Sequence, residues 1–181
     1  MVGCDIHCYM ECRWVPQTVD EAHEAMSWQS FGARINPGRH YQAFNRLAGV
    51  RGPDDGALIA PRGIAPALGY EAAGDLLLRV HDGPPENAPV NWEEKNVTRV
   101  HADSWVRGGS SVRVTKHKQE YVTHPDYHTH SWLTLGEYLG VLVDLKTRGC
   151  EVDVRYWALA GALTAFDQRG YETRLVFWFD N

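Results

Sequence analysis

Asp5 and His7 stand two residues apart near the start of the chain. On a β-strand a carboxylate and an imidazole at that spacing point to the same side, where they can meet at one metal ion or one substrate atom. Glu11, further along the same face, is a candidate general base. A second group lies in His124-Pro125-Asp126-Tyr127-His128-Thr129-His130-Ser131, where an extended backbone would make His128 and His130 converge and where Asp126 is another candidate base. Imidazole with carboxylate suits borderline divalent metals. The expected ligand set is therefore Asp5, His7, His128 and His130 around zinc, manganese or iron, with Asp5, His7, Glu11 and Asp126 as the catalytic group. The competing reading is a plain hydrogen-bonded polar network, since buried polar groups must find partners and nine histidines in 181 residues make chance clusters easy.

Three arginines, Arg39, Arg51 and Arg62, each adjoin a glycine (Gly38, Gly52, Gly63) in turn-like surroundings. An exposed guanidinium there can clamp a phosphate or carboxylate bidentately, which with the nearby Tyr41 makes a candidate ligand-binding set. Solvated or ion-paired arginines at element ends are the bland alternative. Seven tryptophans and eight tyrosines, with arginines between them, could stack on a base while its phosphates are paired, although most must serve the core. The chain has no Gly-x-Gly-x-x-Gly, no Gly-Lys-Ser or Gly-Lys-Thr loop, no Gly-x-Ser-x-Gly elbow and no Cys-x-x-Cys. Kinase, classical dehydrogenase, lipase and zinc-finger chemistries lose their main support.

The segment that positions Asp5 and His7 alternates cleanly from Val2 to Arg13. Cys4, Ile6, Cys8, Met10 and Cys12 fall on one side, and Asp5, His7, Tyr9, Glu11 and Arg13 on the other. Four residues of strand span roughly 13 Å, so the three thiols cannot bridge one another and are expected in the core. Pro16 to Met26 is polar with helix-forming residues, and Ser27 to Ile35 is extended, so the two extended pieces can pair as a hairpin with an inserted loop.

A turn at Asn36-Pro37-Gly38 precedes a short amphipathic helix through Tyr41, Phe44, Leu47 and Ala48, ended by Gly49. Arg51 to Arg62 is loop. Ala65 to Val80 passes from helix to a strand at Leu76, and His81 to Pro89 is loop again. Alternation around Val112 and Val114 suggests a hairpin or edge strand within Val97 to Lys116, and His124 to His130 is irregular. Thr134 and Glu137 form a capping box for a helix to about Arg148, closed by Gly149. A further helix covers Asp153 to Gln168, and the strand Glu172 to Phe179, apolar on both faces, belongs in the centre of a sheet. If the first and last strands pair, Asp180 lies beside Asp5 and His7.

These elements predict a single α+β domain over residues 1–181, with a mixed or antiparallel sheet, first and last strands adjacent, packed by about three helices. The length and the 44% hydrophobic and 23% charged content agree with one globular domain. No apolar run approaches the ~18 to 20 residues of a membrane span, and Asp5 and His7 stand where a signal peptide needs an apolar core. A cytoplasmic protein without a membrane partner is expected. The formal charge of -5 disfavours general nucleic-acid binding.

The Asp-x-His opening and the His-x-His pair are similar to motifs of calcineurin-like metallophosphoesterases. That superfamily's Gly-Asn-His-Glu or Gly-Asn-His-Asp is missing, so its two-metal site cannot be assembled in the usual way. Five blocks carry a fuller resemblance: Gly3-Cys4-Asp5-Ile6-His7, Arg39-His40-Tyr41 through Leu47-Ala48-Gly49-Val50-Arg51, Pro61-Arg62-Gly63, His128-Thr129-His130-Ser131-Trp132-Leu133, and Val176-Phe177-Trp178-Phe179-Asp180-Asn181. Together they resemble a family of small proteins of bacteriophages and prophages that open Met-Gly-Cys-Asp-Ile-His, with Val2 as an insertion before the glycine. The resemblance implies an accessory protein acting in the cytoplasm of an infected bacterium, on host defences or on nucleotides. Two functions follow as expectations. One is a metal-dependent hydrolase of a phosphorylated or nucleotide-like small molecule. The other is a non-enzymatic binder that sequesters a host nucleotide signal or inhibits a host defence protein.

Overall fold

The period-two pattern at the start of the chain is realised as strand β1 (Asp5–Trp14), whose thiol face carries Cys4, Ile6 and Cys8 into the core. The computed structural model describes residues 3–16, 27–32, 34–52 and 56–180; the helix-forming stretch expected between Pro16 and Met26 lies almost wholly outside the described residues. The chain is α+β and divides into two units, Met1–Ala72 with Thr129–Asn181, and Ala73–His128.

In the first unit β1 pairs antiparallel along its whole length with β8 (Tyr171–Asp180), from Asp5 opposite Asp180 to Trp14 opposite Tyr171. The first and last strands are thus neighbours, as the sequence suggests. On its other side β1 meets β2 (Gln29–Ser30), and the bridge between Cys8 and Ile35 continues that pairing as an interrupted hairpin. Strand β7 (Tyr127–Thr134) lies beyond β8, giving the order β2-β1-β8-β7. The central place of β8 accounts for its apolar residues on both faces.

Three helices cover the thiol face: α1 (Tyr41–Ala48), α4 (Leu135–Thr147) and α5 (Val154–Asp167). Phe44, Leu47, Leu142, Leu145, Tyr156, Leu159 and Leu163 bury their side chains with Leu133, Leu175, Phe177 and Phe179. Each helix has a local reason to begin where it does. The imidazole of His40 accepts from the Ala43 amide, Thr134 and Glu137 form the expected capping box, and Asp153 accepts from the Arg155 amide. Gly49 and Gly149, both at positive φ, close α1 and follow α4.

The second unit begins within α2 (Tyr70–Leu76). Its sheet has the order β4-β3-β6-β5, from β3 (Leu77–His81), β4 (Asn96–Thr98), β5 (Arg113–Lys116) and β6 (Gln119–Thr123). Helix α3 (Arg99–Arg107), capped by Thr98, lays Ala102, Trp105 and Val106 against Leu78, Val80, Val97 and Val122. This helix, and the strand β7 in place of an irregular stretch, correct the sequence reading. The apolar positions of α3 are few and are flanked by valines that suggest strand, and three polar residues at 128–130 hide the alternation of β7.

The β5–β6 hairpin turns through His117 and Lys118, both at positive φ (50° and 63°), as a two-residue primed turn requires. Neither side chain suits that region. Changing His117→Asn together with Lys118→Gly is expected to raise the stability of this unit by about 1–2 kcal/mol. A urea-unfolding midpoint that stays put or falls in the double variant would contradict this account.

No helix among the described residues is long and apolar enough to cross a membrane.

Candidate functional site

The face of the first sheet turned away from the three helices carries Asp5, His7, Tyr9 and Glu11 of β1 with Arg174, Val176, Trp178 and Asp180 of β8. The ring of Trp132 lies 5.9 Å from the Arg174 guanidinium, which puts Trp132, and by strand alternation His130, on the same face. Trp178 stacks between the His7 and Tyr9 rings, at 5.8 and 5.4 Å between centroids.

At one end of this face the charged groups gather. Arg39 forks onto Asp5, Nε to Oδ1 at 2.6 Å and Nη2 to Oδ2 at 2.8 Å. The hydrogen bonds from Arg39 hold the Asp5 carboxyl below its usual range. His7 is bound on both nitrogens: Nε2 donates to Asp180 Oδ2 at 2.9 Å and Nδ1 accepts from Arg34 Nη1 at 3.1 Å. Carboxylates only accept and guanidiniums only donate, so these partners select the neutral imidazole with its proton on Nε2. The other oxygen of Asp180 accepts the Asp5 amide at 3.0 Å. Burial raises the Cys4 thiol, and a hydrogen bond from Arg51 pulls it back down. Arg34 and Arg39 thus both act on the Asp5 charge, while Arg51 bonds the Cys4 thiol one residue before it.

The backbone is shaped for Arg39. A Cβ at Gly3 would sit 2.3 Å from its guanidinium, so a larger residue there would push the end of the Arg39 side chain aside, and Gly38 before it has φ +87°. The Gly38 carbonyl is anchored by the buried Tyr156 hydroxyl at 3.1 Å. Tyr41 is 45% exposed and close enough to add to the electrostatic stabilisation of the Arg39 charge.

Midway along the face Glu11 and Arg174 form a buried ion pair, 0% and 1% exposed. Arg174 donates from Nε and Nη2 to Glu11 Oε2 at 2.8 and 2.6 Å, and Glu11 Oε1 accepts the Gly69 amide at 2.8 Å. Burial pulls the Arg174 guanidinium down and Glu11 pushes it back up. Arginines and tryptophans alternate across this region. Trp28 lies between Arg13 at 4.7 Å and Arg174 at 3.8 Å, and Trp132 lies between Arg174 and Arg62, the latter at 4.6 Å. Each arginine of this ladder also holds a glutamate: Glu172, Glu11 and Glu137 respectively.

These placements revise the expected site. Asp5 and His7 share a face, but their polar atoms turn to Arg39 and to Asp180 with Arg34 rather than to one common point. His128 closes the second unit, His130 belongs to the first, and Thr129 between them has φ 51°, so the two imidazoles do not follow the simple repeat of an extended strand. Among the described residues no group of three His, Cys, Asp or Glu side chains is arranged to hold a metal ion. Glu11 is enclosed with Arg174 and has no open side for a substrate. Asp126 is exposed beside His124 in the second unit. Arg62 is held by Glu137 and Trp132, with its amide donating to Ser131 Oγ at 3.2 Å. Arg39, Tyr41 and Arg51 remain near the charged end. Asp180 joins them as the pairing of first and last strands implies, while Arg34, Arg174, Trp28 and Trp132 were not singled out by the sequence. No protein-family model, curated protein or solved structure matches the chain.

Proposed function

We propose that the protein is a non-enzymatic binder of a small phosphate-bearing ligand, nucleotide-like in character, at the arginine-rich end of the first sheet. The observation that carries this reading is the gathering of Arg34 and Arg39 at Asp5, His7 and Asp180, with Arg39 already in the planar fork that recognises phosphate and carboxylate. Tyr41, exposed beside Arg39, offers a ring on which a base can stack. The resemblance to phage and prophage proteins fits a ligand drawn from the host's nucleotide pool. Metal-dependent hydrolysis is the weaker reading, because the carboxylate and imidazole it needs are committed to arginine and aspartate partners.

Thermal unfolding of the full chain with inorganic phosphate, pyrophosphate, mononucleotides and cyclic dinucleotides tests the proposal. A ligand present at a hundred times its Kd adds about 2.7 kcal/mol, or roughly 5–10 °C for a chain of this size. Arg39→Ala is expected to abolish that rise. If no compound in the panel moves the transition, the binding reading fails. Stoichiometric zinc, manganese or iron in untagged protein would return the argument to the hydrolase.

A further inference from the structure

We infer that the Asp5 carboxylate is a resident stand-in for the ligand's anionic group, so that ligands bind the Arg39 fork by exchange and Asp5 sets the charge a ligand must carry. The inference rests on the anion-binding reading above and specifies its chemistry. Both oxygens of Asp5 are engaged by one guanidinium, through Nε and Nη2, in the parallel arrangement a phosphate would adopt. The pair is open to water, with the two side chains 54% and 35% exposed, so an incoming anion can reach it. Exposed pairs of this kind are held weakly, which makes displacement feasible.

The guanidinium is itself half exposed, and the hydrogen bonds of its fork go to Asp5. It lies close to the backbone at Gly3, which carries no side chain to cover it on that side. Only the side chain of Asp5 has to move, since the hydrogen bond that its backbone amide donates to Asp180 Oδ1 survives rotation of the carboxylate. The fork can therefore change its occupant without a movement of the backbone. Arg34 and His7, both of which act on the Asp5 charge, remain beside the vacated position. A singly charged carboxylate ligand gains nothing over Asp5 at the fork, whereas a phosphate dianion gains one more charge next to Arg34. The inferred ligand class is accordingly phosphate monoesters, pyrophosphates and other dianions in preference to carboxylates.

The test compares wild type with Asp5→Asn, Arg39→Lys and Asp153→Asn by isothermal titration with inorganic phosphate and pyrophosphate, with acetate as the monoanion. Asp153→Asn removes the same charge from a neighbouring fork, where Asp153 binds Arg155, and so measures the effect of net charge alone. Exchange predicts that Asp5→Asn binds both phosphates about threefold to fivefold more tightly than wild type, and more tightly than Asp153→Asn does. It also predicts that acetate, undetectable in wild type, becomes measurable in Asp5→Asn, and that Arg39→Lys loses at least tenfold. Phosphate binding that is weakened in Asp5→Asn, or raised no more than in Asp153→Asn, would overturn the exchange while leaving the anion site standing. If neither wild type nor Asp5→Asn binds either phosphate, the site reading and the exchange fall together. Far-ultraviolet circular dichroism checks that Asp5→Asn is folded, and Asp5→Ser is a second variant carrying the same expectation.

Discussion

Glu11→Ala is expected to lower stability by about 3–5 kcal/mol, measured as a loss in urea unfolding followed by tryptophan fluorescence. The cost comes from what is left behind. Arg174, 1% exposed, would keep a buried charge with no carboxylate, and the Gly69 amide would lose its acceptor. Water cannot readily enter to replace Glu11, because Trp28 lies 3.8 Å from the guanidinium and the Gly69 backbone closes the other oxygen. The exposed pair Arg13–Glu172 at the end of the ladder provides the internal comparison, since both side chains are 44% exposed and Glu172→Ala should cost less than about 1 kcal/mol. Removing both partners as Glu11→Leu with Arg174→Met is expected to recover much of the loss, since well-packed apolar pairs often replace buried ion pairs at little cost. If Glu11→Ala costs no more than Glu172→Ala, the pair is not the closed, desolvated contact described above.

The chain is also expected to unfold steeply in alkali. Burial pushes up the Cys8 thiol and the Tyr138 and Tyr156 phenols, all close to fully inaccessible in the core. These groups are neutral when protonated, and the folded chain keeps those protons after the unfolded chain has released them. Stability from this source is complete below the unfolded values, near 9 for cysteine and 10 for tyrosine, and drains away as pH rises above them toward the raised folded values. Each group then contributes a slope of about 1.4 kcal/mol per pH unit, and the three together remove roughly 6 kcal/mol by pH 11. That is comparable to the whole stability of many domains. Tyr138→Phe should flatten the slope by about a third while costing some stability at neutral pH, since the hydroxyl donates to the Tyr156 carbonyl at 3.0 Å. A stability profile flat from pH 8 to 11 would show that these groups titrate freely.

Much of this arrangement is legible in the sequence where local patterns suffice. The alternation of β1 separates the thiols from Asp5 and His7, and the capping box at Thr134 and Glu137 is realised with both reciprocal hydrogen bonds. The doubly apolar β8 lies in the centre of its sheet, and its pairing with β1 brings Asp180 to His7. What local pattern cannot supply is the choice of partner. Glu11 reads as a candidate base because its neutralising charge is 163 residues away, on a strand that is otherwise apolar from Leu175 to Phe179. Arg174 is the one charge within that run between Thr173 and Phe179, and a lone charge at a central strand position signals a buried partner. Arg34 had no such mark, because it lies in an irregular extended segment whose side chains follow no period. The histidines at 128 and 130 suggest a regular repeat that the positive φ of Thr129 breaks.

The pairing of β1 with β8 also bears on the order in which the molecule can assemble. Asp5 and Asp180 are 175 positions apart, so the central pair of the first sheet is among the longest loops this chain can close, and that entropy must be spent before any contact across the sheet repays it. The second sheet has no such delay: its strands all pair within Leu77–Thr123. Local structure in Ala73–His128 can therefore form early, while β1 waits with its three thiols uncovered. During that wait the segment from Cys4 to Cys12 is an alternating, unpaired strand, open to oxidation and to pairing with other chains. Reducing conditions at high dilution are therefore expected to raise the yield of refolding.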